Sequence, residues 1–279
     1  MTVIAMSQEM GTLGRDVAAG VAKALGLRLV RHEIGDFAAH HMHVKKSLVR
    51  RYREGQAGWF EKRQVDESSL ALYTADQVFE YALEEDVLIR GWGATILLHP
   101  VRHVPCVRIC APLESRIKWL MERLDTDDAE LARTEITRSD DAHAARIRHT
   151  FGVELGDPLL YDLVLNTGRV SVETCIEQVL ALARRPEFQP TAESRAQLAD
   201  LTLQAHIRTA LRERDHEAHI DITPQARNGS VVLRGVVMDD AQAQLAIGVA
   251  REVPGVKSVE NQLRSIAVSY RYRGSSGPE

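Results

Sequence analysis

Ten residues near the N-terminus combine turn-forming glycines with charged and hydroxyl side chains: Ser7-Gln8-Glu9-Met10-Gly11-Thr12-Leu13-Gly14-Arg15-Asp16. They follow the apolar run Val3-Ile4-Ala5-Met6 and lead into a helical pattern from Asp16 to Leu25. There Val17, Val21, Ala24 and Leu25 share one face and Gly26 is the stop signal. A strand, a glycine-bearing loop and a helix start make an anion site for physical reasons. Successive backbone N–H groups point inward, and the helix dipole adds partial positive charge. The usual phosphate loop, GxxxxGK[ST], adds a lysine for the outer phosphates and a hydroxyl for Mg²⁺. Here Glu9 stands at the first glycine position, Gly14 at the second, Arg15 at the lysine and Asp16 at the hydroxyl. On spacing alone, a tight strand–helix turn that uses Gly11 and Gly14 only for backbone shape explains the segment as well.

The elements that must carry this loop alternate. Leu27–Val30 is apolar enough for a second strand, residues 33–81 read as polar helix, Val87-Leu88-Ile89 as a third strand and Val104–Cys110 as a fourth. Helices follow over Leu113–Leu124 and Asp127–His149, then a strand Asp162–Leu165 and a helix Val172–Ala183. Such alternation predicts a parallel sheet covered on both faces. Two prolines, Pro186 and Pro190, bracket a polar stretch that suits a linker. Beyond it the pattern changes: a helix Leu198–Arg212, a strand Ile220–Thr223, the turn Asn228-Gly229, an alternating strand Ser230–Val237, a helix from the capping Asp239 to about Glu252, and a strand Val256–Val268. The organisation expected is therefore 1–185 as the first domain, 186–193 as linker, 194–268 as a small αββαβ sandwich and 269–279 as a flexible tail.

Several segments in order extend the first loop's pattern. The segment Ser7–Asp16 resembles the opening of the cytidylate-kinase-like family, relatives of the P-loop nucleoside-monophosphate kinases, in which a strand precedes Ser-Arg-Glu-x-Gly-Ser-Gly-Gly-Arg-Glu/Asp. The likeness continues at Val87-Leu88-Ile89-Arg90-Gly91-Trp92-Gly93-Ala94, at Ala111-Pro112-Leu113-Glu114-Ser115-Arg116-Ile117, at Arg138-Ser139-Asp140, and from Asp157 to Thr167. The resemblance implies an α/β fold, a P-loop kinase-like parallel sheet flanked by helices, and an ATP-dependent transfer to a nucleoside monophosphate or other small acceptor. It implies Gly11, Thr12, Leu13, Gly14, Arg15 and Asp16 around the donor phosphates of ATP, with Asp16 on Mg²⁺. Arg90, Gly91, Trp92 and Gly93 would meet the acceptor. Arg15, Arg138, Asp140 and Arg146 would be catalytic, with Arg116 and Arg123 further candidates for the helices leading into an arginine-bearing lid that neutralises the transferred charge.

Four positions depart from that family. Gln8 and Trp92 stand where arginines are common, the latter where an arginine grips the acceptor's phosphate. Arg31-His32-Glu33 replaces a segment that often begins with aspartate, and His143 replaces a lid arginine. Each lost cation removes charge stabilisation from a reaction that is mostly positioning and neutralisation. Two outcomes stay open: an altered acceptor, or a nucleotide-binding regulatory protein whose catalysis is lost.

Residues 194–268 resemble a BON domain through Ile220-Asp221-Ile222, the hairpin from Asn228 to Val237, and Val253-Pro254-Gly255-Val256. That resemblance implies a small α+β (αββαβ) module that binds a protein or lipid partner, without catalytic residues.

Composition bounds the rest. The chain has 279 residues, 44% hydrophobic and 27% charged, the balance of a globular protein. Its net charge of −4 lies wholly before residue 193, since 11 basic and 11 acidic residues balance over residues 193–279. A broad basic surface for nucleic acid is not expected. No run approaches the roughly 18 apolar residues of a membrane span. The opening Met1–Met6 lacks the features of a secretory signal, so a cytoplasmic location is expected. Cys106, Cys110 and Cys175 form no CxxC pair and read as reduced thiols. His40, His41 and His43, adjacent on a helix, point apart and read as a solvated face rather than a metal site. The acidic cluster at Asp125, Asp127 and Asp128 reads as a turn and cap. Trp59-Phe60 and Tyr52 read as core or interface packing before base stacking.

Overall fold

The computed structural model describes residues 2–84, 86–214 and 221–266. It divides into two units, Met1–Ser194 and Arg195–Glu279. In the first, β1 (Val3–Gln8) is the middle of a five-stranded sheet, and Val3 to Ser7 are buried, as a strand covered on both faces requires. With β2 (Arg28–Val30), β3 (Val87–Arg90), β4 (Cys106–Cys110) and β5 (Leu163–Asn166), the order is β2-β3-β1-β4-β5, and every pairing is parallel. Ala5 is flanked by Ile89 on one side and Cys106 on the other. The carboxyl ends of β1, β3 and β4 thus bring the loop after Gln8, the turn after Arg90 and Arg108 into one neighbourhood, the edge where open α/β sheets bind ligands.

Helix α1 (Gly14–Leu25) packs with α9 (Val172–Ala183) over this sheet, burying Val17, Val21, Cys175 and Val179 with Ile4, Met6 and Leu88. The helices approach so closely at Gly20 that a Cβ there would lie 2.2 Å from Ile176 Cδ1. The polar helical stretch after β2 resolves into α2 (Glu33–His41), α3 (Lys46–Arg53), α4 (Trp59–Lys62) and α5 (Glu67–Glu84). It is broken where His43 and Gly55 take left-handed backbone, φ 53° and 70°. Helix α4 is too short to offer a buried face. Trp59 and Phe60, expected in core or interface packing, are not in the core: they are 63% and 75% exposed, stacked edge-on at 4.8 Å. A short helix α6 (Ala94–Leu97) follows β3, and α7 (Leu113–Leu124) packs with α8 (Ala129–Phe151) through Ile117, Leu120, Ala132 and Ile136. Helix α8 starts at the cap Asp128, whose side chain accepts from the Leu131 amide at 2.9 Å.

The second unit holds most of α10 (Ala192–Arg214), which starts six residues before the expected helix, then β6 (Asp221–Arg227), β7 (Ser230–Val237), α11 (Asp240–Glu252) and β8 (Ser258–Ser265). Strand β7 is central, antiparallel to β6 and parallel to β8. Asn228 and Gly229, φ 52° and 84°, make the hairpin turn in the backbone that such a turn favours. Ile207, Val231, Leu233, Val237 and Ala250 form a separate core. The expected strand ends Ile220 and 267–268, and the tail 269–279, lie outside the described residues. Among the described residues no helix is long and apolar enough to cross a membrane.

Candidate functional site

The loop after β1 is tightly wound. Thr12 is buried, and its hydroxyl donates to the Glu9 carbonyl at 2.9 Å. Thr167, following β5, donates to the Thr12 carbonyl at 2.8 Å. Gly11, at φ 79°, lies against α7: a Cβ would sit 3.1 Å from Arg116 Cβ and from the Trp119 ring. Leu13, at φ 54°, precedes the first turn of α1, and no side chain caps that turn. Arg15 and Asp16 are exposed on it. An uncapped helix start bearing an exposed guanidinium fits a polyphosphate. Asp16 offers one carboxylate, and Mg²⁺ typically takes one or two protein carboxylates beside phosphate oxygens. Among the described residues no group of three metal-ligating side chains exists.

Beside the loop lies a cleft of about 690 Å³. Gln8, Glu9 and Met10 line it from the end of β1. Arg31 and His32 follow β2, Lys46, Arg50, Arg51 and Arg53 come from α3, Arg90 to Trp92 end β3, and Ser139, Asp140, His143 and Arg146 descend from α8. The cleft is strongly cationic. Burial pulls the Arg53 guanidinium down to about 9, with Arg146 and Arg90 adding repulsion. Arg90 and Arg146 are likewise lowered, chiefly by burial. Arg90 Nε and Gln8 Oε1 are buried without a hydrogen-bond partner among the described residues. His143 is held neutral, at about 3, by burial and then by Arg146, Arg53 and Arg108.

The acidic groups at the cleft are already engaged. Glu9 pairs with Arg108 of β4, and burial still keeps its carboxyl above the usual range. Asp140 receives both terminal nitrogens of Arg116, at 2.8 and 2.7 Å, while Arg116 Nε donates to the Met10 carbonyl at 2.6 Å.

Of the residues singled out in the sequence, Arg90, Gly91, Trp92, Asp140 and Arg146 line this cleft. Gly93, at φ 70°, precedes α6, with Phe151 2.7 Å from where its Cβ would be. Arg138 is not in the cleft: it pairs with Glu135 and lies in a groove with Arg133 and Asp141 along α8. Arg116, expected near the lid, is buried beneath the loop, and Arg123 sits over the Trp119 ring. Sequence reading missed Arg53 and its neighbours on α3. The signal is the basic run Arg50-Arg51-Tyr52-Arg53.

Residues 3–169 match the model of the family described as the cytidylate kinase-like family, and residues 199–267 that of the BON domain. A protein named cytidylate kinase from Pyrobaculum aerophilum is 26% identical over 176 residues, 63% of this chain and 89% of its own length. Another of that name, from Staphylothermus marinus, is 27% identical over 108 residues, 39% of this chain and 60% of its own length. A solved structure of an uncharacterised protein from Eubacterium ventriosum superposes with a TM-score of 0.52 at 19% identity, covering 66% of this chain and all of that one, a likeness of fold alone.

Proposed function

Because the chain belongs to the cytidylate kinase-like family through residues 3–169 and carries a BON domain at residues 199–267, we propose that it transfers a phosphoryl group from ATP to a small anionic acceptor. The relatives named cytidylate kinase support this reading. The observation that carries it is the junction of an uncapped α1 start bearing Arg15 with a cationic cleft ending on Arg53, Arg90 and Arg146.

In this reading Gly11 to Gly14 present backbone amides to the donor phosphates, Arg15 adds a charged fork, and Asp16 would hold Mg²⁺, which would supply charge neutralisation for the transfer. Arg53, Arg90 and Arg146 hold and orient the acceptor. Asp140 keeps α8 against α7 through Arg116 and so fixes the side of the cleft where acceptor and donor meet. The chemistry asked of the protein is positioning and electrostatic stabilisation, and Arg15 and Arg146 serve both ends of the transfer. The BON domain would bind a protein or lipid partner.

A second reading, a nucleotide-binding regulatory protein, is favoured by His143, which is neutral near pH 7 where the family carries a lid arginine. Release of ADP from ATP–Mg²⁺ in the presence of nucleoside monophosphates and other phosphorylated acceptors separates the two. Acceptor-dependent release above the hydrolytic background is expected. Stabilisation by ATP without turnover of any acceptor would leave the regulatory reading.

A further inference from the structure

We propose that Trp92 is a positioning residue whose indole holds Arg53 in the cleft, so that Arg53, Arg90 and Arg146 together seat a phosphoryl dianion. This deepens the kinase reading, since it names the acceptor's charged group, and it rests on the cleft being the acceptor site.

Trp92 is placed at some cost. It takes left-handed backbone, φ 61°, rare for a bulky residue and retained where the surroundings dictate it. The ring is 8% exposed, and its Nε1–H donates to the Arg31 carbonyl at 2.5 Å. Across α2 it lies so close to Gly35 that a Cβ there would be 2.4 Å from the ring. These contacts fix the plane of the indole, and the Arg53 guanidinium carbon lies 3.4 Å from a ring centroid. A planar guanidinium stacks on an indole without losing its in-plane donors, so its N–H groups stay available to an anion. Arg146 donates to the Arg53 carbonyl at 3.0 Å.

The three guanidinium groups line one cleft, and among the described residues no carboxylate lies within ion-pair distance of them; Glu54, Asp16 and Glu67 offset the charge of Arg53, Arg90 and Arg146 only in part, since all three remain lowered. Arg53 and Arg146 repel each other, and Arg90 Nε is buried without a hydrogen-bond partner among the described residues. A dianion relieves both conditions: it accepts from several donors and cancels the repulsion. A residue that cannot itself contact phosphate as a cation therefore serves phosphate binding through its neighbour.

Calorimetric titration of the full chain near neutral pH tests this, with inorganic phosphate, cytidine monophosphate and glycerol phosphate as probes. Phosphate is expected to bind. The cytidine and glycerol arms then show whether the seat favours a nucleotide or any phosphomonoester. Trp92→Leu should weaken phosphate binding about tenfold and Trp92→Phe about threefold at most, because phenylalanine keeps an aromatic face. Arg53→Met should weaken it at least tenfold, and adding Trp92→Leu should cost nothing further, the mark of two residues acting as one. ATP affinity should change less than about twofold in all of these. A folded Trp92→Leu protein with unchanged phosphate affinity, or additive losses in the double variant, overturns the proposal. If Trp92→Leu does not fold, Arg53→Lys decides: it keeps the charge and loses the stacked plane, so unchanged affinity also overturns it. Phosphate binding that depends on Arg53, without phosphorylation of any acceptor, removes the catalytic reading and the acceptor with it, while Trp92 and Arg53 as the seat of a phosphoryl dianion stand. Turnover of a phosphorylated acceptor whose KM ignores Arg53→Met does the reverse.

Discussion

Arg15 occupies an exposed position on the first turn of α1, so its removal should leave the fold intact and act on the ligand alone. Arg15→Ala is expected to abolish the rise in melting temperature that ATP–Mg²⁺ gives the parent, measured by thermal shift. Unchanged ATP affinity would refute the assigned role. His143 gives a pH prediction with a definite sign. Its folded value of about 3 lies below the ordinary 6.5, so the ring is neutral in the fold and takes up a proton on unfolding. The associated stability is complete above about pH 6.5 and is lost as pH falls, by up to about 2 kcal/mol at pH 5. A His143→Gln protein should lose less melting temperature than the parent between about pH 7.5 and 5. The glycine loop and Arg15 could be read from the sequence because their neighbours in space are their neighbours in the chain. Arg53 could not, since its value lies in Trp92, 39 positions later, turning the ring beneath it.

Among the elements, those with strong periodicity were legible. Helix α7 spans Leu113–Leu124 as expected, and the buried run of β1 matches its reading closely. The stretch from residue 33 was legible only as helical. Of its breaks, the one at Gly55 carries a glycine, whereas the one at His43 takes left-handed backbone that no glycine or proline announces. Two substitutions test what the elements do for the site. Gly11→Ala places a Cβ in left-handed backbone against α7 and should cost about 1–2 kcal/mol of stability by chemical denaturation, with weaker ATP binding. Gly35→Ala improves the intrinsic helix propensity of α2 yet drives a methyl into the Trp92 ring. Phosphate affinity in titration should therefore fall although the helix itself is favoured.

For the whole molecule, the two cores share no residues, so each unit carries its own cooperative packing. Leu233 is wholly buried in the second, and Leu233→Ala should destabilise that unit by about 3 kcal/mol in scanning calorimetry. ATP and phosphate binding should be retained, and loss of either would mean that the units are energetically coupled. The change from strand–helix alternation to a hairpin marked by Asn228-Gly229 made two architectures legible. What the second binds was not, since its recognisable residues serve turns and core.

The Arg116 guanidinium, carried on α7, grips two places at once: the carbonyl of Met10 and the carboxylate of Asp140. A swing of α8 that pulled Asp140 away would strand a charge that is 6% exposed, and it would loosen the hold on the backbone just before Gly11. Retreat of the α8 wall of the cleft and slackening of the donor cradle would then be one mechanical event, opened by a single latch.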